Sequence, residues 1–203
     1  MSTPAAADPN PASAGIGADS IGAPDDQAWA AQARDTLAQV DARLARRFDG
    51  GDAADRLIAL RARAVDALVC EAWQRCMPAD APLAPVPLAL FAVGGYGRGE
   101  LFPHSDIDLL VLAESDMQHR YHDALARFLA LLWDAGLPAS QAVRSAVQCT
   151  EAATDQTVLT ALVEARPLVA SEADRLALRD AIAPERVWPA RAFFDAKVEE
   201  QAQ

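Results

Sequence analysis

Two aspartates at the start of an apolar run carry the clearest chemical signal in the sequence. Asp106 and Asp108 are separated by one residue, and Asp108 lies within the run 107–112, which is typical of a buried strand. Residues two apart in a strand point to the same face, so both carboxylates would lie together. Because paired negative charge in an apolar setting is costly without a cation, the pattern predicts a Mg²⁺ site. Water and substrate phosphate oxygens would complete the coordination.

Glycines close the preceding apolar run, a short distance upstream of the aspartates. Residues 88–93 predict a first buried strand, and Gly94 and Gly95 follow it directly. Lacking side chains, these glycines allow a sharp turn and let phosphates approach main-chain N–H groups. Arg98 is placed to neutralise phosphate charge, and Ser105 either touches a phosphate or satisfies a local turn. Together these residues predict a metal-assisted displacement at a nucleoside triphosphate.

Other nucleotide-binding motifs do not fit these glycines. Glu100 stands where a dinucleotide-binding fingerprint requires its third glycine. A P-loop requires a lysine after its last glycine, and the chain's single lysine is Lys197. Kinase signatures are also missing from the sequence. The glycine turn must therefore be interpreted together with the aspartates.

Composition and charge exclude several classes of function. The net charge of −11 opposes binding to a nucleic-acid backbone, which depends on displacing counterions with Lys and Arg. No apolar stretch is long enough to predict a membrane span, and the start lacks the basic and apolar regions of a secretory signal. Three irregularly spaced cysteines favour a reduced, cytoplasmic setting over a disulfide framework.

The elements before the first strand predict a helical hairpin. Residues 1–26 are rich in Ala, Pro, Ser and Gly and predict a disordered tail. Apolar residues at helical spacing predict one helix over 29–44, ending at Gly50, and a second helix over 57–72. We therefore expect a hairpin over 27–80, limited by the proline-rich stretch that follows.

The elements after the second strand complete an α+β fold. Ser115 is expected to cap a helix that continues to Ala135, and residues 141–147 predict a third strand. Three further helices are expected over roughly 151–165, 173–183 and from 190 onward, with turns around Pro167 and Pro184. The predicted fold is a small mixed sheet flanked by helices, α/β-like in its layers, within a second unit over 84–203.

Two segments make a specific resemblance. Residues 94–101 (GGYGRGEL) and 103–110 (PHSDIDLL) resemble bacterial protein-PII uridylyltransferase/uridylyl-removing enzymes, whose fold is that of polymerase-β-like nucleotidyltransferases. The similarity continues in shorter segments through residues 132–137, 142–145, 162–166 and 194–201. It covers about residues 27–203, and in the family the chain continues beyond this point.

The resemblance implies an activity. Members of this family transfer UMP from UTP to a tyrosine hydroxyl of the PII nitrogen-signalling protein, and separate HD and ACT domains remove UMP and sense glutamine. Gly94 and Gly95 match the family's nucleotide-binding glycines, and Asp106 and Asp108 match its metal-binding acids. We expect Mg²⁺ as cofactor, and UTP and PII as partners.

Three questions stay open at the level of sequence. Polymerase-β-like enzymes commonly carry a third carboxylate on a neighbouring strand, and the predicted third strand has none. Glu164 and Asp134 are the substitutes. Adenylyl transfer is an alternative specificity, and an inactive interaction module is an alternative if residues needed for turnover lie beyond this chain.

Overall fold

The computed structural model describes residues 24–77 and 87–187, which contain four strands and eight helices. In chain order they are α1 (Pro24–Asp49), α2 (Ala54–Cys76), β1 (Ala89–Ala92), α3 (Gly94–Gly97), β2 (Ile107–Leu112), α4 (Ser115–Arg120), α5 (His122–Asp134), β3 (Ala139–Arg144), α6 (Ala146–Ala152), α7 (Gln156–Val163), β4 (Arg166–Val169) and α8 (Glu172–Ala181).

The strand predicted from the apolar run at 107–112 is an inner strand of the sheet. The strands lie in the order β3-β2-β1-β4. β1 is antiparallel to both β2 and β4, whereas β2 and β3 are parallel. β2 therefore has a neighbour on each side and a helical layer on each face, which explains its continuous apolar sequence. The predicted mixed sheet flanked by helices is confirmed.

Alternate residues of the strands pack into two separate cores. Leu109 and Val111 of β2 contact the core that includes α1, α2 and α5. Leu110 and Leu112 point the other way and contact residues of α6, α7 and α8. The period of two along the strand thus separates one helical layer from the other. Asp108 has the same parity as Leu110, so its side chain belongs to the α7 face.

The predicted hairpin is formed by α1 and α2, which pack together against the sheet. α1 ends at Asp49, before the glycines, as the sequence predicts. It begins at Pro24, so residues 24–26 are helical rather than part of the predicted tail. Asp26 is buried and accepts hydrogen bonds from Arg127 on α5 at 2.8 Å, which fixes the start of the helix. Residues 1–23 and 78–86 lie outside the described ranges.

The third strand begins earlier than predicted. β3 covers Ala139–Arg144 instead of 141–147. It ends before 147 because Ser145 caps the next helix. The Ser145 hydroxyl accepts a hydrogen bond from the Gln148 N–H at 3.2 Å, and the Gln148 side chain accepts one from the Ser145 N–H at 2.8 Å. This capping box ends the strand at Arg144 and places Val147 in α6.

The prediction of one helix over 151–165 followed by a turn at Pro167 is wrong. Two helices, α6 and α7, occupy this region, and Asp155 caps α7 by accepting a hydrogen bond from the Thr157 N–H at 2.8 Å. Pro167 lies in β4, which pairs with β1. Proline is tolerated there because β4 is the last strand of the sheet, where main-chain N–H groups need no partner strand.

The helix predicted from Ser115 to Ala135 is divided. Tyr121 separates α4 from α5 and is itself buried. Glu114 rather than Ser115 is the N-cap residue of α4. α5 ends at Asp134, close to the predicted stop at Gly136, which has φ +76°. The helix predicted over 173–183 is confirmed as α8, and the one predicted from residue 190 lies outside the described ranges.

Candidate active site

The two aspartates lie where β2 begins. Asp106 precedes the strand and is exposed, whereas Asp108 is its second residue and is half-buried. The Asp108 side chain has the parity that points toward α7. The start of β2 lies beside the end of β1 and the start of β3, because the first pair is antiparallel and the second is parallel. We call this region, with Gly94, Gly95, Asp106, Asp108 and Ser140, the carboxylate end of the sheet.

The glycine turn contacts Asp108 directly. The Val93 N–H donates a hydrogen bond to the Asp108 carbonyl at 3.0 Å, and α3 starts at the next residue. Gly94 has φ +58°, and a Cβ atom there would lie 3.4 Å from Asp108 Oδ2. The backbone of Gly94 therefore lies against the carboxylate in a conformation that favours glycine. Gly95 follows in the same turn, as the sequence predicts.

Ser140 completes the carboxylate end from the β3 side. It is in register with Asp108, and its hydroxyl lies 2.5 Å from Asp108 Oδ1, to which it donates a hydrogen bond. Sequence reasoning missed Ser140, because the third strand was expected to start one residue later. Alignment of β3 with β2 from their parallel register would have found it. This serine occupies the neighbouring-strand position at which a third carboxylate was sought.

Arg98 is engaged by two glutamates. Its Nε atom donates to Glu100 Oε2 at 2.8 Å, and its Nη1 atom lies 2.8 Å from Glu164 Oε1. These bonds, to Glu100 first and then Glu164, raise the pKa of the Arg98 guanidinium above its usual value. The side chain is 46% exposed, so a phosphate can reach it from solvent. Two of its nitrogen atoms are used in these pairs, so a phosphate would bind the remaining N–H donors or compete with the carboxylates.

Ser105 lies in the exposed loop that leads into Asp106. Its N–H donates a hydrogen bond to the Phe102 carbonyl at 3.2 Å. His104 has φ +66°, an uncommon left-handed conformation for a residue other than glycine. The loop therefore turns tightly immediately before the first aspartate.

The two substitute carboxylates lie in different places. Glu164 follows α7 and pairs with Arg98, beside the glycine turn. Asp134 ends α5, and its carbonyl accepts a hydrogen bond from Arg34 of α1. The structure thus brings Glu164 near the site through Arg98 and places Asp134 in the opposite helical layer. A role for either as the third carboxylate stays a prediction.

The glycine turn is packed closely against the end of α7. A Cβ atom on Gly97 would lie 2.3 Å from the Glu164 carbonyl oxygen and 3.0 Å from the Ala92 carbonyl oxygen. Only glycine allows this approach, since real Cβ contacts are not that short. Gly97 was part of the recognised motif, but its steric role could not be inferred from the sequence.

Arg166 of β4 holds the same turn through hydrogen bonds to its main chain. It donates hydrogen bonds to the Tyr96 and Gly97 carbonyls at 3.1 and 3.2 Å and pairs with Asp66 of α2 at 2.8 Å. Burial lowers the pKa of Arg166, but the bonds to Asp66 outweigh it and the net pKa is raised. Burial also raises the pKa of the Tyr96 hydroxyl far above its usual range, so Tyr96 stays neutral. The hairpin therefore helps to position the turn.

Arg61 of α2 anchors the loop between the turn and the aspartates. Its guanidinium is buried, pairs with Asp41 of α1 at 2.7 Å and donates to the Phe102 carbonyl at 3.1 Å. A buried arginine with both charge and hydrogen-bond partners is well satisfied. The helical hairpin thus holds both ends of the segment that carries the motif.

The donor set fits a hard divalent cation. The carboxylate end offers oxygen donors from Asp106 and Asp108, with one Asp108 oxygen already fixed by Ser140. Within the described ranges, no group of three or more His, Cys, Asp or Glu side chains is arranged to hold a metal ion. A site with two carboxylates suits Mg²⁺, which usually keeps several water and phosphate ligands, better than a closed structural metal site.

A family model described as "Putative nucleotidyltransferase DUF294" matches residues 38–160. This range contains the glycine turn, both aspartates and Ser140. The chain belongs to this family. Membership accounts for the mixed sheet flanked by helices.

Several relatives of this nucleotidyltransferase domain are named bifunctional uridylyltransferase/uridylyl-removing enzyme. The protein from Xanthomonas campestris pv. campestris (strain B100) is 63% identical over 175 residues, which cover 86% of this chain and 20% of that protein. The protein from Xanthomonas axonopodis pv. citri (strain 306) is 61% identical over the same length. The protein from Methylococcus capsulatus is 48% identical over 161 residues. The chain spans about one fifth of the length of these relatives.

In the parts of the chain that the structure describes, no helix is both long and apolar enough to cross a bilayer.

Proposed function

We propose that this nucleotidyltransferase domain transfers UMP from UTP to a tyrosine hydroxyl of the PII nitrogen-signalling protein, with Mg²⁺ as cofactor. One observation carries the proposal: the glycine turn lies against Asp108, with the Gly94 backbone beside the Asp108 carboxylate, and Asp106 is two residues away in the sequence. The names of the relatives support uridylyl transfer as the specificity. The free cysteines fit a cytoplasmic setting.

Each side chain of the site has a proposed role. Asp106 and Asp108 are the metal ligands, and bound Mg²⁺ would neutralise charge on the phosphates. Gly94 and Gly95 leave space for the phosphates beside the main chain, and Ser105 adds a hydroxyl to the loop that borders them. Arg98 would exchange a glutamate for the pyrophosphate oxygens as charge develops there.

The proposed reaction is an in-line displacement. The tyrosine oxygen forms a bond to the α-phosphorus of UTP, the bond from that phosphorus to the bridging oxygen breaks, and pyrophosphate leaves. The phenolic proton passes to solvent or to a carboxylate. Glu164 is the nearer of the two candidate third carboxylates to the turn, because it contacts Arg98. Its ion pair with Arg98 would also hold the guanidinium beside the turn. Asp134 is the more remote candidate.

Transfer of labelled UMP from UTP to purified PII protein tests the proposal. The chain is expected to label PII in the presence of Mg²⁺, and a double Asp106→Asn, Asp108→Asn variant is expected to lose at least about a thousandfold of the rate, because the metal site is removed. Asp35→Asn on the exposed side of α1 is the matched control and should keep full activity.

Competition identifies the nucleotide. Unlabelled UTP should suppress the label, and ATP at the same concentration should not. Stronger suppression by ATP than by UTP would show that the specificity is adenylyl transfer rather than uridylyl transfer. Nucleotide binding that depends on Mg²⁺, without any transfer by the folded chain, would show instead an interaction module and overturn the proposed activity.

A further inference from the structure

The carboxylate end has two different flanks. Going across the sheet, the glycine turn after β1 lies on one side of Asp108, and Ser140 at the start of β3 lies on the other. The order of strands therefore places the proposed metal ligands between a phosphate-binding turn and an edge strand. Phosphates that rest on the glycine turn would be displaced toward the β1 side.

In-line geometry then assigns the acceptor to the opposite flank. In such a displacement the attacking oxygen and the leaving oxygen lie on opposite sides of the phosphorus. If pyrophosphate leaves over Gly94 and Gly95, the nucleophile must arrive from the side of Ser140. β3 is the last strand on that side among the described residues, and Ser140 and Gln141 are exposed. The approach is open there.

A cavity lies on this flank, between the sheet and α7. It has a volume of about 290 Å³, and Asp108 and Ser140 form part of its wall. Aliphatic side chains of the sheet and of α7 form much of its wall, namely Leu110, Ala142, Val158, Ala161 and Leu162. Gln141, Arg144 and Thr157 add polar groups, and Val93 closes the cavity on the side of the glycine turn. The cavity thus presents the proposed metal ligand together with a mainly aliphatic wall. The Ser140 hydroxyl that holds Asp108 also faces this space.

We infer that this cavity receives the side chain of the acceptor tyrosine of the partner protein. The inference rests on the proposed function and adds the place where the second substrate binds. An aromatic ring would pack on the aliphatic wall, while its hydroxyl reaches the carboxylate beside Ser140.

The volume of the cavity, about 290 Å³, is at the lower limit of sites that enclose a complete small molecule, roughly 300–1,000 Å³. The assignment of the acceptor ring therefore rests on the position of the cavity beside Ser140 and on its aliphatic contacts, rather than on its volume.

A double-mutant cycle between the two proteins tests the inference. Ala161→Leu narrows the cavity from α7, and Ala177→Leu on the exposed face of α8 is the matched control. In PII, the acceptor tyrosine is replaced by Phe, which keeps the ring, or by Ala, which removes it. The dissociation constant for PII is measured with Mg²⁺ and a UTP analogue that cannot be cleaved between the α- and β-phosphates, so that native PII is not modified. The dissociation constant for UTP and the thermal unfolding midpoint are measured alongside it.

The inference predicts a specific pattern of affinities. With the parent chain, the Phe form of PII should bind as tightly as native PII, and the Ala form about tenfold more weakly, since it loses the ring contacts. With Ala161→Leu, this difference should disappear while UTP binding is unchanged. Ala177→Leu should behave as the parent.

Other results separate the two claims. If the parent chain transfers UMP but binds the Phe and Ala forms equally, the cavity is not the acceptor site and the proposed function stands. If the parent chain transfers no UMP to PII, the proposed function fails and the inference fails with it. Because the Phe and Ala forms are compared on the unaltered chain, the result holds even if Ala161→Leu does not fold.

Discussion

The flank of Asp108 formed by the glycine turn is fixed by side chains and close packing from other elements, whereas the flank formed by β3 is fixed by main-chain pairing with β2 and borders an open cavity. On the first flank, Gly97 packs against the Glu164 backbone, and Arg166 fixes two carbonyls of the turn. On the second, β3 pairs with β2 along its whole length, Trp133 donates to the Ala139 carbonyl, and the hydroxyl of Ser140 contacts Asp108. The difference suggests a rigid flank for phosphates and an accessible flank for a protein acceptor.

This contrast has a physical reason. Dipoles and charges that stabilise a transition state act best when they need no rearrangement, so the turn that faces the phosphates benefits from rigid support. A protein acceptor must enter and leave, and regulatory partners often adjust their conformation on binding. Substitutions on each flank test this contrast, and their expected effects differ in size.

The largest effect is expected from Gly97→Ala on the rigid flank. The new Cβ would lie 2.3 Å from a backbone carbonyl oxygen, which has no freedom to move away. We expect the free energy of unfolding to fall by about 3 kcal/mol, and transfer activity to be lost with it. Urea unfolding measures the change.

Gly99→Ala is the comparison for that substitution. Gly99 has a left-handed φ of +76°, unlike Gly97, and a Cβ there meets open space. Its cost should be about 1 kcal/mol, from backbone strain alone. A loss for Gly97→Ala no larger than this would show that the close packing at Gly97 is easily relieved, and would contradict the rigid-flank account.

Arg166→Leu should have the next largest effect. It leaves Asp66 without its partner and removes the hydrogen bonds to the Tyr96 and Gly97 carbonyls. We expect unfolding to become easier by about 2 kcal/mol, since partly buried polar groups lose their partners. Arg175→Leu, which breaks an exposed pair with Glu172, should cost at most about 0.5 kcal/mol.

Adding Asp66→Leu to Arg166→Leu sharpens this prediction. If the unpaired carboxylate causes the loss, the double variant should be more stable than Arg166→Leu alone. If the loss of unfolding free energy in the double variant equals the sum of the two single losses, the Arg166–Asp66 pair does not stabilise the turn.

Arg98→Leu should affect activity more than stability. The ion pairs of Arg98 are about half exposed, so the change in unfolding free energy should stay within about 0.5 kcal/mol. Transfer of UMP should fall by about tenfold or more if Arg98 stabilises the leaving pyrophosphate. Arg98→Lys should keep part of that activity. If Arg98→Leu transfers UMP at the parent rate, Arg98 does not stabilise the leaving pyrophosphate.

The smallest effect is expected from Ser140→Ala on the open flank. Loss of one hydroxyl from an exposed position should leave stability within about 0.5 kcal/mol of the parent. The turnover number should fall by about fivefold, because Asp108 loses the bond that orients it. Ser140→Thr keeps the hydroxyl and should recover most of the rate. No recovery by threonine would show that the hydroxyl does not act through Asp108.

The sequence predicted the central part of the site better than its surroundings. β2 has the predicted bounds, and the chain turns at Gly94 directly after β1, because an apolar run and glycines are strong local signals. Ser140 was missed, since its role depends on the register between two strands that are distant in sequence. Tertiary pairing of this kind leaves no local pattern.

The supporting contacts were equally hidden in the sequence. β4 is short and contains Pro167, so local propensity predicted a turn, and pairing with β1 outweighed it. Arg61 and Arg166 are ordinary helix and strand residues by type, and their roles come from carbonyls far along the chain. Arg98, predicted to neutralise phosphate charge, pairs with Glu100 and with the distant Glu164, and the sequence indicates neither contact.

The measurement that tests the central claim most directly is Mn²⁺ binding in the presence of UTP, followed by electron paramagnetic resonance. The account predicts that the parent chain binds Mn²⁺ with UTP and that Asp108→Asn binds it at least about a hundredfold more weakly, as expected for loss of a metal ligand. Asp35→Asn should match the parent. Equal Mn²⁺ affinity in the parent and in a folded Asp108→Asn variant would contradict the assignment of the carboxylate end as the metal site.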